Sequence, residues 1–85
     1  MLNRKQIEKE IKEIICEITG IYEEKLEGDA NFIEDLGIES IMAVDIISAI
    51  QGKYCLQIPK EQYGHFDCVD SAVDIVENLL LSRGN

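Results

Sequence analysis

Histidine and proline occur once each in this chain, and basic side chains are outnumbered by acids. A single histidine, His65, and no clustered ligands leave no basis for a metal centre. The same scarcity argues against catalysis. A serine nucleophile needs a base and an oxyanion stabiliser, and no Gly-x-Ser-x-Gly elbow is present. Lysine and arginine total 8 against 17 acids, for a net charge of -9. Such a surface repels phosphate backbones and anionic bilayers, so nucleic acid and membranes are poor partners, and basic patches on other proteins are good ones. Cysteines number three, at 16, 55 and 68, with no Cys-x-x-Cys pair and no secretory leader. They read as reduced thiols of a cytoplasmic protein. No apolar run approaches the roughly 20 residues that span a bilayer. Strand alternation, repeats and low-complexity segments are also missing.

Within these limits the chain carries enough apolar matter to fold. Its 85 residues suit a single domain, residues 1–85, and its hydrophobic fraction of 46% is that of a globular protein. Ile7, Ile11, Ile14, Ile15 and Ile18 mark one face of a helix from Asn3 to Thr19. Asn3 and Gln6 have capping-box spacing, Glu8 and Lys12 form an i,i+4 pair, and Gly20 is the stop. A second helix starts at Glu39 or Ser40 and runs to Tyr54. Ala43, Ile46, Ile47, Ile50 and Tyr54 form its stripe, and Ile41 and Val44 are expected to widen the buried face. Gly52 weakens its last turn by about 1 kcal/mol relative to alanine. Pro59, the only proline, breaks the chain after Ile58, and Lys60 to Phe66 can form one short turn. A last helix spans Cys68 to Leu81, with Asp67 as the expected cap and Val69, Ala72, Val73, Val76, Leu79 and Leu80 facing inward.

Between the first two helices lies a long connection, residues 20–39. Loops of this length in small domains are functional or packed by their own side chains. Phe32, Ile33, Leu36 and Ile38 are expected to fold it over the core, and a helical turn fits Tyr22 to Leu26. From residue 20 to residue 40 the chain holds seven acids (Glu23, Glu24, Glu27, Asp29, Glu34, Asp35 and Glu39) against Lys25 alone. This run leads directly to Ser40, at the mouth of the second helix. From the helix pattern alone, Ser40 reads as an N-cap, whose loss costs roughly 1 kcal/mol.

Asn31-Phe32-Ile33-Glu34-Asp35-Leu36-Gly37-Ile38-Glu39-Ser40-Ile41 resembles the signature of the acyl carrier protein family. There a Leu-Gly pair, one variable residue and an acid precede a modified serine, and an aliphatic residue follows it. Ile58-Pro59 is similar to the family's entry into its short third helix, and Phe66 through Val76 to the start of its fourth, so the resemblance covers nearly the whole chain. It implies an all-α fold, a small four-helix bundle of three main helices and one short one with a long first loop. It also implies a carrier without catalytic activity. Ser40 would bear a 4′-phosphopantetheine arm, transferred from coenzyme A by a phosphopantetheinyl transferase, and the arm's thiol would hold acyl groups as thioesters. Glu39, Ile41, Met42 and Asp45 would meet partner enzymes around the serine. Those partners are acyl-loading and synthase or transferase enzymes with basic docking patches, visiting a monomer.

Two departures from the family pattern bear on the pathway. Glu39 stands where the family usually has aspartate. The second helix is also poor in acid, with Met42, Ser48, Gln51, Gly52 and Lys53 at outward or late positions and Asp45 its one interior acid. Electrostatic docking on that helix is weakened, which favours a polyketide-like or other specialised acyl pathway over fatty acid synthesis. The competing reading is an unmodified acidic interaction module that keeps the carrier fold. A small esterase built on Ser40 lacks its base, and a calcium loop lacks the required acid alternation and central glycine.

Overall fold

A computed structural model describes residues 3–83. Three helices make the body: α1 (Arg4–Thr19), α2 (Ser40–Tyr54) and α3 (Val69–Arg83). Short 3-10 helices at Glu23–Lys25 and Lys60–His65 interrupt the two connections. The described residues contain no strand, and the architecture is the expected all-α bundle of three main helices, with the short helix at Lys60–His65 and a helical turn at Glu23–Lys25 in the long first loop.

Each end of α1 has a local cause. The Asn3 side chain accepts from the Gln6 N–H at 2.8 Å, which satisfies one of the amides left open by the first turn. The reciprocal half of a capping box is absent, because the Gln6 amide instead donates to Glu10 Oε2 at 2.8 Å. Gly20 ends the helix at φ 77°, a left-handed conformation that costs glycine little, and its N–H returns to Cys16 O at 2.9 Å. Glu8 and Lys12 pair at 3.1 Å.

The isoleucine stripe of α1 is the shared wall of the core, since α1 packs against both α2 and α3. Ile7, Ile11 and Ile15 are fully buried, with Ile14 and Ile18 packed at the edge. They meet Ile46, Ile47, Ile50 and Tyr54 of α2 and Val69, Ala72, Val73 and Val76 of α3 in one cluster. The connections add Leu26, Phe32, Ile38, Ile58 and Phe66 to it. Arg4, at the start of α1, bridges outward to Asp74 at 2.7 Å and Glu77 at 3.1 Å on α3.

Three local expectations are corrected. Ile41 and Val44 do not widen the buried face of α2; they are 70% and 48% exposed, because nothing packs on that side of its first turns. Ile33 is 56% exposed, on the outer side of a turn whose inner side is Phe32. Asp67 precedes α3 by two residues, so Cys68 occupies the cap position, and the Asp67 carbonyl accepts from Phe32 N at 2.8 Å instead. Gly52 sits within α2. The helix runs on to Tyr54 and closes at Cys55, a non-glycine residue at φ 54°.

Cys55 holds the left-handed position where helices usually place glycine, at a cost of roughly 1 kcal/mol for a residue with a Cβ. Cys55→Gly is expected to raise stability by about 0.5–1 kcal/mol in urea titration. The second device is the contact between α1 and α2, where the Tyr54 hydroxyl donates to Glu10 Oε1 at 2.5 Å. Tyr54 first, then Gln6, holds the Glu10 carboxyl below the ordinary carboxylate range. Burial first, then Glu10, pushes the Tyr54 phenol well up. The Glu10 contribution is therefore full above the unfolded carboxylate's pKa and is lost as pH falls through the lowered folded value. The Tyr54 contribution is full below the ordinary tyrosine pKa and is lost as pH rises from there through the raised one. Tyr54→Phe should cost about 1 kcal/mol near neutral pH, a figure reduced for the solvent around Glu10, and the difference from the parent should shrink in acid. Urea unfolding across the pH range measures both.

Candidate functional site

The start of α2 is built by the loop before it. Asn31 Oδ1 accepts from the N–H groups of Ile33 at 2.9 Å and Glu34 at 2.8 Å. Asp35 Oδ2 reaches back to Asn31 N at 2.8 Å, and the Asn31 carbonyl takes Asp35 N and Leu36 N at 2.9 and 3.1 Å. The result is a closed turn satisfied from within. Phe32 and Ile38, on its inner side, are each 2% exposed, and Ile38 N donates to Phe32 O at 2.8 Å. Leu36 packs at the core's edge, half-buried. Gly37, at φ 69° with open space around it, lets the chain leave the turn for α2 in a conformation that strains any side chain.

Ser40 is the first residue of α2, and the cap position belongs to Glu39. The cap reading of Ser40 therefore does not hold. Glu39 makes no side-chain cap hydrogen bond either, its longer side chain being a poor match for that geometry. The first helical bond is that of Ala43 N to Glu39 O at 3.0 Å, so the amides of Ser40, Ile41 and Met42 have no intrahelical acceptor. An exposed hydroxyl thus stands at an uncapped, partially positive helix end. A phosphodiester fits there: its charge meets open N–H groups and the positive end of the helix dipole.

The surroundings of Ser40 divide by chemistry. Glu39, Ile41 and Asp45 are exposed, while Met42 is half-buried and packs against the core. All seven acids of the run from Glu23 to Glu39 are exposed. On one flank a groove of about 410 Å³ opens between the loop, α2 and the second 3-10 helix. Ser40, Ile33, Ala43, Val44, Ile47 and Phe66 contribute to its walls, with Asn31, Glu34 and Asp67 at polar positions. No histidine, lysine or cysteine lines it, and His65 is exposed elsewhere on its short helix. The groove accordingly sets the exposed hydroxyl beside the carboxylates of Glu34 and Asp67, with no imidazole, amine or thiol on its walls. Among the described residues no cluster of His, Cys, Asp and Glu could hold a metal ion, and no helix is long and apolar enough to cross a membrane.

Reading the sequence located Ser40 and its acidic approach. It missed the outward turn of Ile33 and Val44, which have the residue type of core positions. The signal available for Ile33 was local: Asn31 and Asp35, four apart, close a turn whose alternate sides cannot both face inward.

Comparison with known proteins bears on the same region. The family profile described as "Phosphopantetheine attachment site" matches residues 9–77, from the middle of α1 to the middle of α3. The protein named "Acyl carrier protein" from Buchnera aphidicola subsp. Acyrthosiphon pisum is 35% identical over 79 residues, covering 93% of this chain and 99% of that protein. A match of this extent takes in all the helices and the loop that presents the exposed serine, and the chain belongs to the phosphopantetheine-attachment family, whose cofactor is covalently bound 4′-phosphopantetheine.

Proposed function

We propose that this protein is an acyl carrier, with its 4′-phosphopantetheine arm on Ser40 and acyl intermediates held as thioesters on the arm's thiol. The observation that carries the reading is the exposed Ser40 hydroxyl at a helix end with no side-chain cap. In the transfer, Ser40 Oγ gives up its proton to a base of the visiting transferase and forms a bond to phosphorus. The pyrophosphate bond of coenzyme A breaks, and the adenosine bisphosphate leaves. The new phosphodiester then lies by the open amides of Ser40, Ile41 and Met42. The protein needs no catalytic group for this step, which agrees with a groove free of imidazole and amine.

Docking follows from the same surface. Glu39, Ile41, Met42 and Asp45 surround the attachment point, and the acidic approach from Glu23 to Glu39 supplies the charge that α2 lacks. Partners are the phosphopantetheinyl transferase and acyl-loading and synthase or transferase enzymes carrying basic patches, with an apolar contact for Ile41 at 70% exposure. The low acid content of α2 favours a polyketide-like or other dedicated acyl pathway over fatty acid synthesis. We place the protein in the cytoplasm as a monomeric single domain, a setting compatible with its three thiols.

Incubation with coenzyme A, magnesium and a broad-specificity phosphopantetheinyl transferase should add the mass of one arm to the intact protein. Ser40→Ala should abolish the addition while keeping the helical circular dichroism. A parent protein that stays unmodified, or a Ser40→Ala variant that still gains the mass, would sink the assignment. Glu39→Asp, which restores the family's usual acid, should raise transfer efficiency by about two- to threefold in steady-state kinetics, the scale of a modest change in a rim contact.

A further inference from the structure

Among the described residues no large apolar side chain is more exposed than Tyr22, at 74%. Its hydroxyl has no hydrogen-bond partner among them either. The ring nevertheless stands on a fixed base. The Tyr22 carbonyl accepts from Lys25 N at 3.0 Å and the Glu23 carbonyl from Leu26 N at 2.9 Å, which closes the first 3-10 turn. Ile21 before the ring packs against the core, and Leu26 after it is fully buried. One exposed tyrosine is ordinary on a protein surface. What surrounds this one is not.

A groove of about 340 Å³ opens beside the ring, lined by Gly20, Ile21, Lys25, Asp35 and Leu36 together with Tyr22. The loop holds Asp35 in place there: its Oδ2 accepts from Asn31 N at 2.8 Å, and its other oxygen has no hydrogen-bond partner among the described residues. Glu23 and Glu24 follow the ring in the turn, both exposed. Burial first, then Glu23, Glu24 and Glu13, pushes the Cys16 thiol up, so these three carboxylates gather on one side of the molecule. Lys25 is the groove's own cation. An aromatic face set among carboxylates suits a guanidinium. That planar cation stacks on the ring and keeps its N–H fork for a carboxylate, whereas an ammonium is a strongly hydrated point charge.

We propose that Tyr22 is a docking anchor, separate from the residues around Ser40, for an arginine presented by the enzymes that visit this protein. Naming a visiting enzyme as the source of that arginine rests on Ser40 as the attachment point of the arm; the chemistry of the anchor does not. Leu36, in the Tyr22 groove, precedes Ser40 by four residues, a span of at most about 14 Å. A partner that buries about 800 Å² covers a patch about 30 Å across, so one footprint takes in both. The acid run by itself draws lysine and arginine alike. The ring adds a preference for arginine, and with it a choice among basic partners.

The test titrates the full-length protein with two labelled peptides of equal length and charge, one of alternating arginine and alanine, the other of alternating lysine and alanine. Fluorescence anisotropy gives each affinity at one fixed salt concentration. The parent should prefer the arginine peptide by about fivefold. Tyr22→Ala, with helical circular dichroism unchanged, should lower that preference to less than about twofold, and Tyr22→Phe, which keeps the ring, should retain it. Tyr22→Ser serves as the ring-free variant if the alanine form loses helical content. A preference below about twofold in the parent or in Tyr22→Phe, or above about twofold in a folded ring-free variant, overturns the anchor. The shared footprint is read with a broad-specificity phosphopantetheinyl transferase: the arginine peptide should raise the KM for the parent at unchanged kcat, and less so for Tyr22→Ala. An equal rise for both proteins, or none for the parent, overturns it. None of these outcomes touches the carrier assignment, which fails only if the parent accepts no arm, a result that leaves the peptide titration readable.

Discussion

The geometry of this protein depends on how its long first connection is tied to the start of α3. Phe32 N donates to Asp67 O at 2.8 Å, and Asp70 N donates to Gly28 O at 3.0 Å. Between and beyond these ties, Leu26, Phe32 and Ile38 enter the core. Two backbone hydrogen bonds are modest in net free energy, but each satisfies a group that would otherwise lie unpaired against the protein. Buried side chains on the same segment supply the larger apolar term. Gly28 is where the segment comes closest to α3: a methyl there would collide with the Asp70 carboxylate, so a larger residue would have to displace it. The chain therefore reaches α2 from a fixed direction, and Ser40 is presented on a rigid base although nearly every residue around it is in water.

The same constraint explains the division of labour at the site. Apolar residues of the connection that face inward stabilise the fold. Ile33, on the other side of the same turn, is left to the surface with Ile41 and Val44. Single exposed aliphatics need no explanation; here three of them stand near one exposed serine. The exposed acids from Glu23 to Glu39 give this side of the molecule a negative field. Affinity in such an arrangement comes from the apolar centre and encounter rate from the charged rim.

The two ends of α2 are held differently. Its C-terminal half is tied into α1 through Tyr54 and Glu10 and into the core through Ile46, Ile47 and Ile50. Its N-terminal turn has no side-chain cap and two exposed aliphatics. A serine at the cap position would be a better helix start, with its oxygen engaged with the backbone. Leaving the cap position to Glu39 keeps both the hydroxyl and the first amides available, at a cost of roughly 1 kcal/mol in helix stability.

The residues by themselves determined the three helices, their order and the serine at the mouth of the second, because a 3.6-residue apolar period and turn-forming glycines act over a few neighbours. Ile7, Ile11 and Ile15 could only be one face of a helix, and Gly20 could only be its end. The acid leading to Ser40 and the Leu36-Gly37 pair were likewise legible in one dimension. Tertiary structure alone decided which aliphatic residues meet water. Ile33 and Phe32 are adjacent and equally apolar, and the partner at Asp67 selects between them. Ile41 and Val44 lie off the stripe of Ile46 and Ile50, and no neighbouring element reaches the first turns of α2 to cover them. The groove beside Ser40 joins the loop at Asn31, the first turns of α2 and the segment from Tyr63 to Asp67. No local pattern encodes that meeting, since it exists only once α1 has gathered the other two helices around a common core.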